Sequence, residues 1–150
     1  MSQQAIALLN LPVQAVGAIQ EYRCVGFNGA QATAAGQKVY GIARRGAASG
    51  QWTDLTILGT SPAESGAAIA VGQPLTCDAS GRVIVCTALS VAVGGLTVAA
   101  GATAVTSTAA NGGILAGNAA VTGADLPQHL IGYALQASAG AGEFIEVLLR

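Results

Sequence analysis

Hydrophobic residues along this chain come in short runs with a period of two, and most runs stop at glycine. Over residues 19–27, Tyr22 and Cys24 alternate with Arg23 and Val25 up to Asn28-Gly29, which predicts a first strand closed by a turn. Residues 39–58 and 130–149 follow one template. Val39-Tyr40-Gly41-Ile42-Ala43 leads through a polar stretch to Gly50-Gln51-Trp52-Thr53-Asp54-Leu55-Thr56-Ile57. Leu130-Ile131-Gly132-Tyr133-Ala134 leads through small residues to Gly142-Glu143-Phe144-Ile145-Glu146-Val147-Leu148-Leu149. Two extended runs joined by a Gly/Ala/Ser connection predict a strand–turn–strand unit, here written twice.

Within each copy the alternation separates two faces. Thr53, Leu55 and Ile57 point one way, matched by Ile145, Val147 and Leu149, and this aliphatic set is the expected core. Trp52, Asp54 and Thr56 point the other way, matched by Phe144 and Glu146. An aromatic beside a carboxylate suits a contact with another chain, so Trp52, Asp54, Phe144 and Glu146 are candidate subunit-interface residues. The competing reading is that Trp52 and Phe144 cap the core at strand ends. A second recurrence places Gly plus an amide before an apolar run, in Gly36-Gln37, Gly72-Gln73 and Gly117-Asn118. Glycine supplies turn angles and the amide bonds nearby backbone, so each predicts the start of a strand. Asp78-Ala79-Ser80-Gly81 turns into Val83-Ile84-Val85, a β-branched run suited to a buried strand. One helical turn is expected over residues 61–70, where Pro62 and Glu64 suit a first turn. Residues 1–18 alternate weakly and read as an arm or lead-in, followed by a single β domain over 19–150. The predicted fold is mainly β: a small β-barrel or β-sandwich of short hairpins, with little helix and an extended N-terminal arm.

Composition changes what this fold is for. Charged residues are 9% of the chain, against roughly 25% in ordinary soluble proteins, and a free monomer normally carries more. Much of the surface is therefore expected to be covered by other chains. A net charge of −1 gives no footprint for nucleic acid or anionic membrane. Between Arg82 and Asp125 no residue is charged, yet glycines and Thr106-Ser107-Thr108 break every run before the ~18–20 apolar residues a membrane helix needs. The N-terminus Met1-Ser2-Gln3-Gln4 has no positive charge and reads as no targeting signal, so synthesis is expected in the cytoplasm. The chain has three cysteines. Across a four-residue hairpin loop Cys77 would face Arg82, leaving Cys86 on the order of 13 Å away, too far for a disulfide. Reduced, buried thiols are expected.

The chain offers little reactive chemistry. No GxxxxGK[ST] loop, GxGxxG turn or GxSxG elbow occurs. His129 sits alone in Leu126-Pro127-Gln128-His129-Leu130 and is expected to face solvent. Two thiols and a distant histidine make no zinc site. The acids are scattered singly, which does not favour a glycosidase pair. The doublet Arg44-Arg45 is read as a solvated turn, or as a salt-bridge donor to a neighbouring subunit. No enzymatic activity, metal or cofactor is expected.

The ordered phrases Val39-Tyr40-Gly41-Ile42-Ala43, Gly72-Gln73-Pro74-Leu75-Thr76-Cys77-Asp78-Ala79-Ser80-Gly81-Arg82-Val83, Ile131-Gly132-Tyr133-Ala134-Leu135 and Gly142-Glu143-Phe144-Ile145-Glu146-Val147-Leu148-Leu149 resemble the tailed-phage capsid decoration (cement) proteins. That family has also been labelled a domain of unknown function, sometimes with a RecA/RadA recombinase tag, which the missing nucleotide loop does not support. The resemblance covers about residues 36–150, with 89–125 as an elaboration. It implies a virion protein on the outer head surface, a homotrimer partnered by the major capsid protein, that stabilises the shell against internal DNA pressure. Within that reading, residues 2–11 are the expected docking element, with Gln3, Gln4, Ile6, Leu8 and Leu11 adding a strand to a capsid edge. Arg44 and Arg45 join the candidate subunit interface. Two other classes remain: a tail or spike module, and a small ligand-binding β-barrel.

Overall fold

The computed structural model describes residues 5–87 and 128–150. The alternating runs become eight strands: β1 (Ala7–Gln14), β2 (Cys24–Gly26), β3 (Val39–Ala43), β4 (Trp52–Glu64), β5 (Pro74–Cys77), β6 (Val83–Val85), β7 (Gly132–Ala134) and β8 (Phe144–Leu149). They form one sheet in the order β2-β3-β4-β8-β7-β5-β6, with β1 added along β4, and every ladder is antiparallel. The thirteen-residue β4 is the spine. Its first half pairs with β1 and β3, and its second half pairs with β8. The sheet then curls until its ends meet. The Cys24 N–H at the β2 end donates to the Gly81 carbonyl at 2.7 Å, and Ser65 bridges to Val83 of β6. The result is a nearly closed, barrel-shaped sheet, with no helix among the described residues.

Four connections in this sheet are built alike, over residues 15–23, 44–51, 65–73 and 135–143. They lock together in two pairs. Ile19 and Ala47 exchange backbone hydrogen bonds at 2.8 and 2.9 Å, as do Ile69 and Ser138. In the first pair Gly50 N–H donates to Ala15 and Tyr22 N–H to Ala43; in the second Gly142 donates to Ser65 and Gly72 to Ala134. Each connection turns on a residue with positive φ: Gly50 (83°), Gly72 (82°), Gly142 (88°) and Tyr22 (58°). Tyr22 thus occupies a glycine position, where a side chain costs roughly 1–2 kcal/mol. Its ring packs edge-on against Phe144 at 5.6 Å. The residue after the glycine ties the turn down. Gln51, Gln73 and Glu143 accept from the backbone N–H groups of Ala48, Ala70 and Ala139. Gln37 does the same for Thr33 and Ala34. The Gly–amide pattern therefore marks strand starts at Gly36-Gln37 and Gly72-Gln73, and Gly117-Asn118 lies outside the described residues.

The core follows the predicted aliphatic face. Leu55, Ile145, Val147 and Leu149 are buried with Ile42, Leu75 and Val83, and Thr53 is nearly so. Thr56 departs from the expectation of an outer position. It is buried at a point where β4 is paired on both edges, with Asn10 of β1 and Ile42 of β3. Cys24 and Cys77 are buried and Cys86 is partly exposed, and all three are free thiols. Burial pushes both buried thiols above the ordinary range, so neither is poised as a nucleophile. Cys77 pairs with Val83, one residue beyond the expected Arg82, because Asp78 uses both carboxylate oxygens to hold a longer loop. Asp78 Oδ1 accepts from the Ser80 and Arg82 N–H groups, and Oδ2 pairs with Arg82 Nε at 2.7 Å.

Two further expectations are corrected. Residues 61–70 form no helical turn: 61–64 finish β4 and the rest is one of the four repeated connections. Pro62 is tolerated there because the Thr60 and Glu64 N–H groups point away from β8, to Ile6 and Tyr22, so the intervening proline faces an edge where β1 has already ended. Residues 7–14, expected within an arm, are strand β1, paired with β4 from Ala7↔Gly59 to Gln14↔Trp52.

Candidate functional site

Strand β1 carries the first candidate surface. Among the described residues it pairs only with β4, and its other edge carries no second strand, though Gly29 approaches it at Gln14. Ile6, Leu8 and Leu9 are 59%, 71% and 42% exposed, and Leu11 is half-buried. The register slips twice between Ala7 and Asn10, an irregularity of the kind that bends a strand and increases its local twist. Pro12 interrupts the free edge further along, a device that limits pairing to a short stretch. Gln3 and Gln4 lie outside the described residues.

The candidate subunit-interface residues divide into two patches. Trp52, Asp54, Arg44 and Arg45 cluster where β4 begins. Trp52 is 67% exposed, and Arg45 meets Asp54 at 3.5 Å in a largely solvated pair of little energetic value. Phe144 and Glu146 lie at the opposite end, paired with Glu64 and Pro62. Trp52 and Glu64 terminate one strand, roughly 40 Å apart along an extended chain. The two template copies therefore do not create one aromatic–acid face. They create two separate ones.

Sequence reasoning missed two features. Arg23 and Glu64 form an ion pair of 2.6 Å whose side chains are only 13% and 17% exposed. Arg23 Nη1 also donates to the Ser80 carbonyl at 2.8 Å, so the pair links β4, the start of β2 and the β5–β6 loop. The other feature is a cleft of about 400 Å³ lined by Phe27, Lys38, Tyr40, His129, Leu130 and Arg150, among others. Lys38 stacks on Phe27 at 5.4 Å and Arg150 on Tyr133 at 4.9 Å. His129 is exposed, as expected, and its backbone N–H holds the Gly36 carbonyl. These residues are scattered from 27 to 150, and no local pattern unites them.

Among the described residues no group of three or more His, Cys, Asp or Glu is placed to hold a metal ion. What these surfaces offer is contact: an apolar strand edge, two aromatic patches and a basic cleft. No curated protein matches the chain. The head fiber gp8.5 N base of bacteriophage phi29 is similar in structure, at 14% identity and a TM-score of 0.48, over 95% of this chain and 93% of that one. The family model for the phage cement protein matches residues 3–149, taking in the N-terminal strand as well as the motifs from residue 36 to Leu149. The chain belongs to the phage cement protein family and is a structural protein associated with the phage capsid.

Proposed function

We propose that this protein is a homotrimer on the outer surface of the phage head that clamps neighbouring major capsid subunits and so resists the outward pressure of packaged DNA. It is made in the host cytoplasm and works by cohesion, without catalysing a reaction. The observation that carries this reading is β1, an edge strand presenting Ile6, Leu8 and Leu9 to solvent in a chain with few charges. Such an edge can extend a sheet of the shell. Bridging several subunits multiplies modest contacts through effective concentration, so separating any one of them requires breaking several. The two aromatic patches support the trimer. Contacts in a three-fold ring join two different surfaces, head to tail, and this chain has one at each end of β4.

Deleting residues 2–11 would remove most of β1 and disturb the pairing with β4, so a point change is the cleaner test. Leu8→Glu alters an exposed side chain and should leave the melting temperature unchanged. Losing a buried leucine contact and burying a carboxylate should weaken binding to undecorated heads by roughly 50-fold per site, measured by co-sedimentation. Undiminished binding would rule out β1 as the docking element.

A further inference from the structure

We propose that the cleft beside β3 is a second docking site, which takes an extended, acidic segment of the capsid partner; this rests on the capsid-binding reading above. The cleft exists because β4 changes partners on one edge. Its ladder with β3 stops at Ile42↔Thr56, and its ladder with β8 begins at Gly59↔Leu149. Gly59 also pairs with Ala7 of β1, so β8 lies on the edge opposite β1, the edge that β3 occupies further along. Between those ladders, at Ile57 and Leu58, that edge is interrupted. The first half of β3 and the end of β8 form the walls of the gap.

The gap has the size and chemistry of a peptide site. Its volume of about 400 Å³ falls within the range of roughly 300–1,000 Å³ typical of ligand sites. Its apolar wall is exposed, with Phe27 at 62% and Leu130 at 49%, and Phe27 stacks on Tyr40 at 5.0 Å. Interrupted ladder positions suit an extended backbone, the recognition mode in which main-chain bonds give affinity and side-chain pockets give specificity. Charge selects the occupant. Lys38 and Arg150 line the cleft and no Asp or Glu does, although acids outnumber bases in the whole chain. Both cations are already stacked on aromatic rings, so little ordering is needed when a carboxylate arrives. An acidic segment lying along β3 would place its carboxylates against Lys38 and Arg150 and its apolar side chains against Phe27 and Leu130.

The test uses purified wild-type protein and the double variant Lys38→Glu/Arg150→Glu, each mixed with heads lacking the protein and quantified by co-sedimentation at two salt concentrations. Both side chains are exposed, so the variant should melt with the wild type. Its head affinity should fall by about 30-fold, its salt dependence should flatten, and its self-association should be unchanged. The neutral variant Lys38→Gln/Arg150→Gln should fall between the two. If wild type binds heads and the reversed variant binds equally well, the cleft is not a capsid site. If the variant instead loses self-association and keeps head binding, the occupant is another copy of this chain and the proposal is overturned. If wild type itself fails to bind heads, the capsid-binding reading falls, and this proposal with it.

Discussion

Replacing Glu64 with alanine is expected to lower the unfolding free energy by about 3 kcal/mol, because it strands the Arg23 guanidinium in a largely buried place. Arg23 Nε already lacks a hydrogen-bond partner among the described residues, so losing Glu64 adds to an existing deficit. The loss spreads through the closure of the sheet, since Arg23 also holds the Ser80 carbonyl beside the Cys24–Gly81 bond. Removing both charges together, as Arg23→Met/Glu64→Leu, should cost less than the two single changes summed, because no unpaired ion remains. Asp54→Ala is the contrast. Its pair with Arg45 is solvent-exposed and should be worth less than about 0.5 kcal/mol. Urea unfolding of these variants would read the difference directly, and equal effects at Glu64 and Asp54 would refute it.

Gly132→Ala should be at least as damaging, at about 3 kcal/mol or more, because a methyl group at this position collides with the Leu148 backbone carbonyl of the paired strand. A flexible side chain can swing aside, but a ladder carbonyl cannot. Relief would require β7 and β8 to separate, and β8 carries the buried Ile145, Val147 and Leu149. The same geometry recurs at Gly41 in the first template copy, where an added methyl would stand 2.6 Å from the Thr56 carbonyl oxygen. Gly50→Ala isolates the backbone term, since its φ is 83° but the space around it is open. It should cost only about 1 kcal/mol. Thermal melts that rank Gly132 and Gly41 far above Gly50 would support close strand approach as the reason for the template's central glycine. An alanine tolerated at 132 would contradict it.

Much of this architecture is legible in the residue pattern because it is local. The template of residues 39–58 and 130–149 is two antiparallel hairpins, β3–β4 and β7–β8, with the aliphatic face inward. Two more members of the repeat were hidden for identifiable reasons. In the connection of residues 15–23 the glycine is replaced by Tyr22 and the following amide by Arg23, which erases the signal. In that of residues 65–73 the incoming strand is the far end of β4, which lies beyond the first template copy and reads locally as a helical turn. Pro62 and Glu64 resembled a helix start because local chemistry could not show which edge of a long strand would lose its neighbour. The candidate surfaces were less legible than the fold. The exposure of Leu8 follows from its local alternation, whereas the separation of Trp52 from Phe144 depends on register along β4, a long-range property. The cleft depends on where two ladders stop, and no window of sequence contains that.

If this chain holds a shell together by contact, then adding it to purified heads that lack it is the measurement that matters most. Size-exclusion chromatography with light scattering should show a trimer. The heads should take it up to a fixed saturating number and then release their DNA at a higher temperature than bare heads. A protein that stays monomeric, leaves the heads bare, or binds without changing the temperature of DNA release would contradict the account.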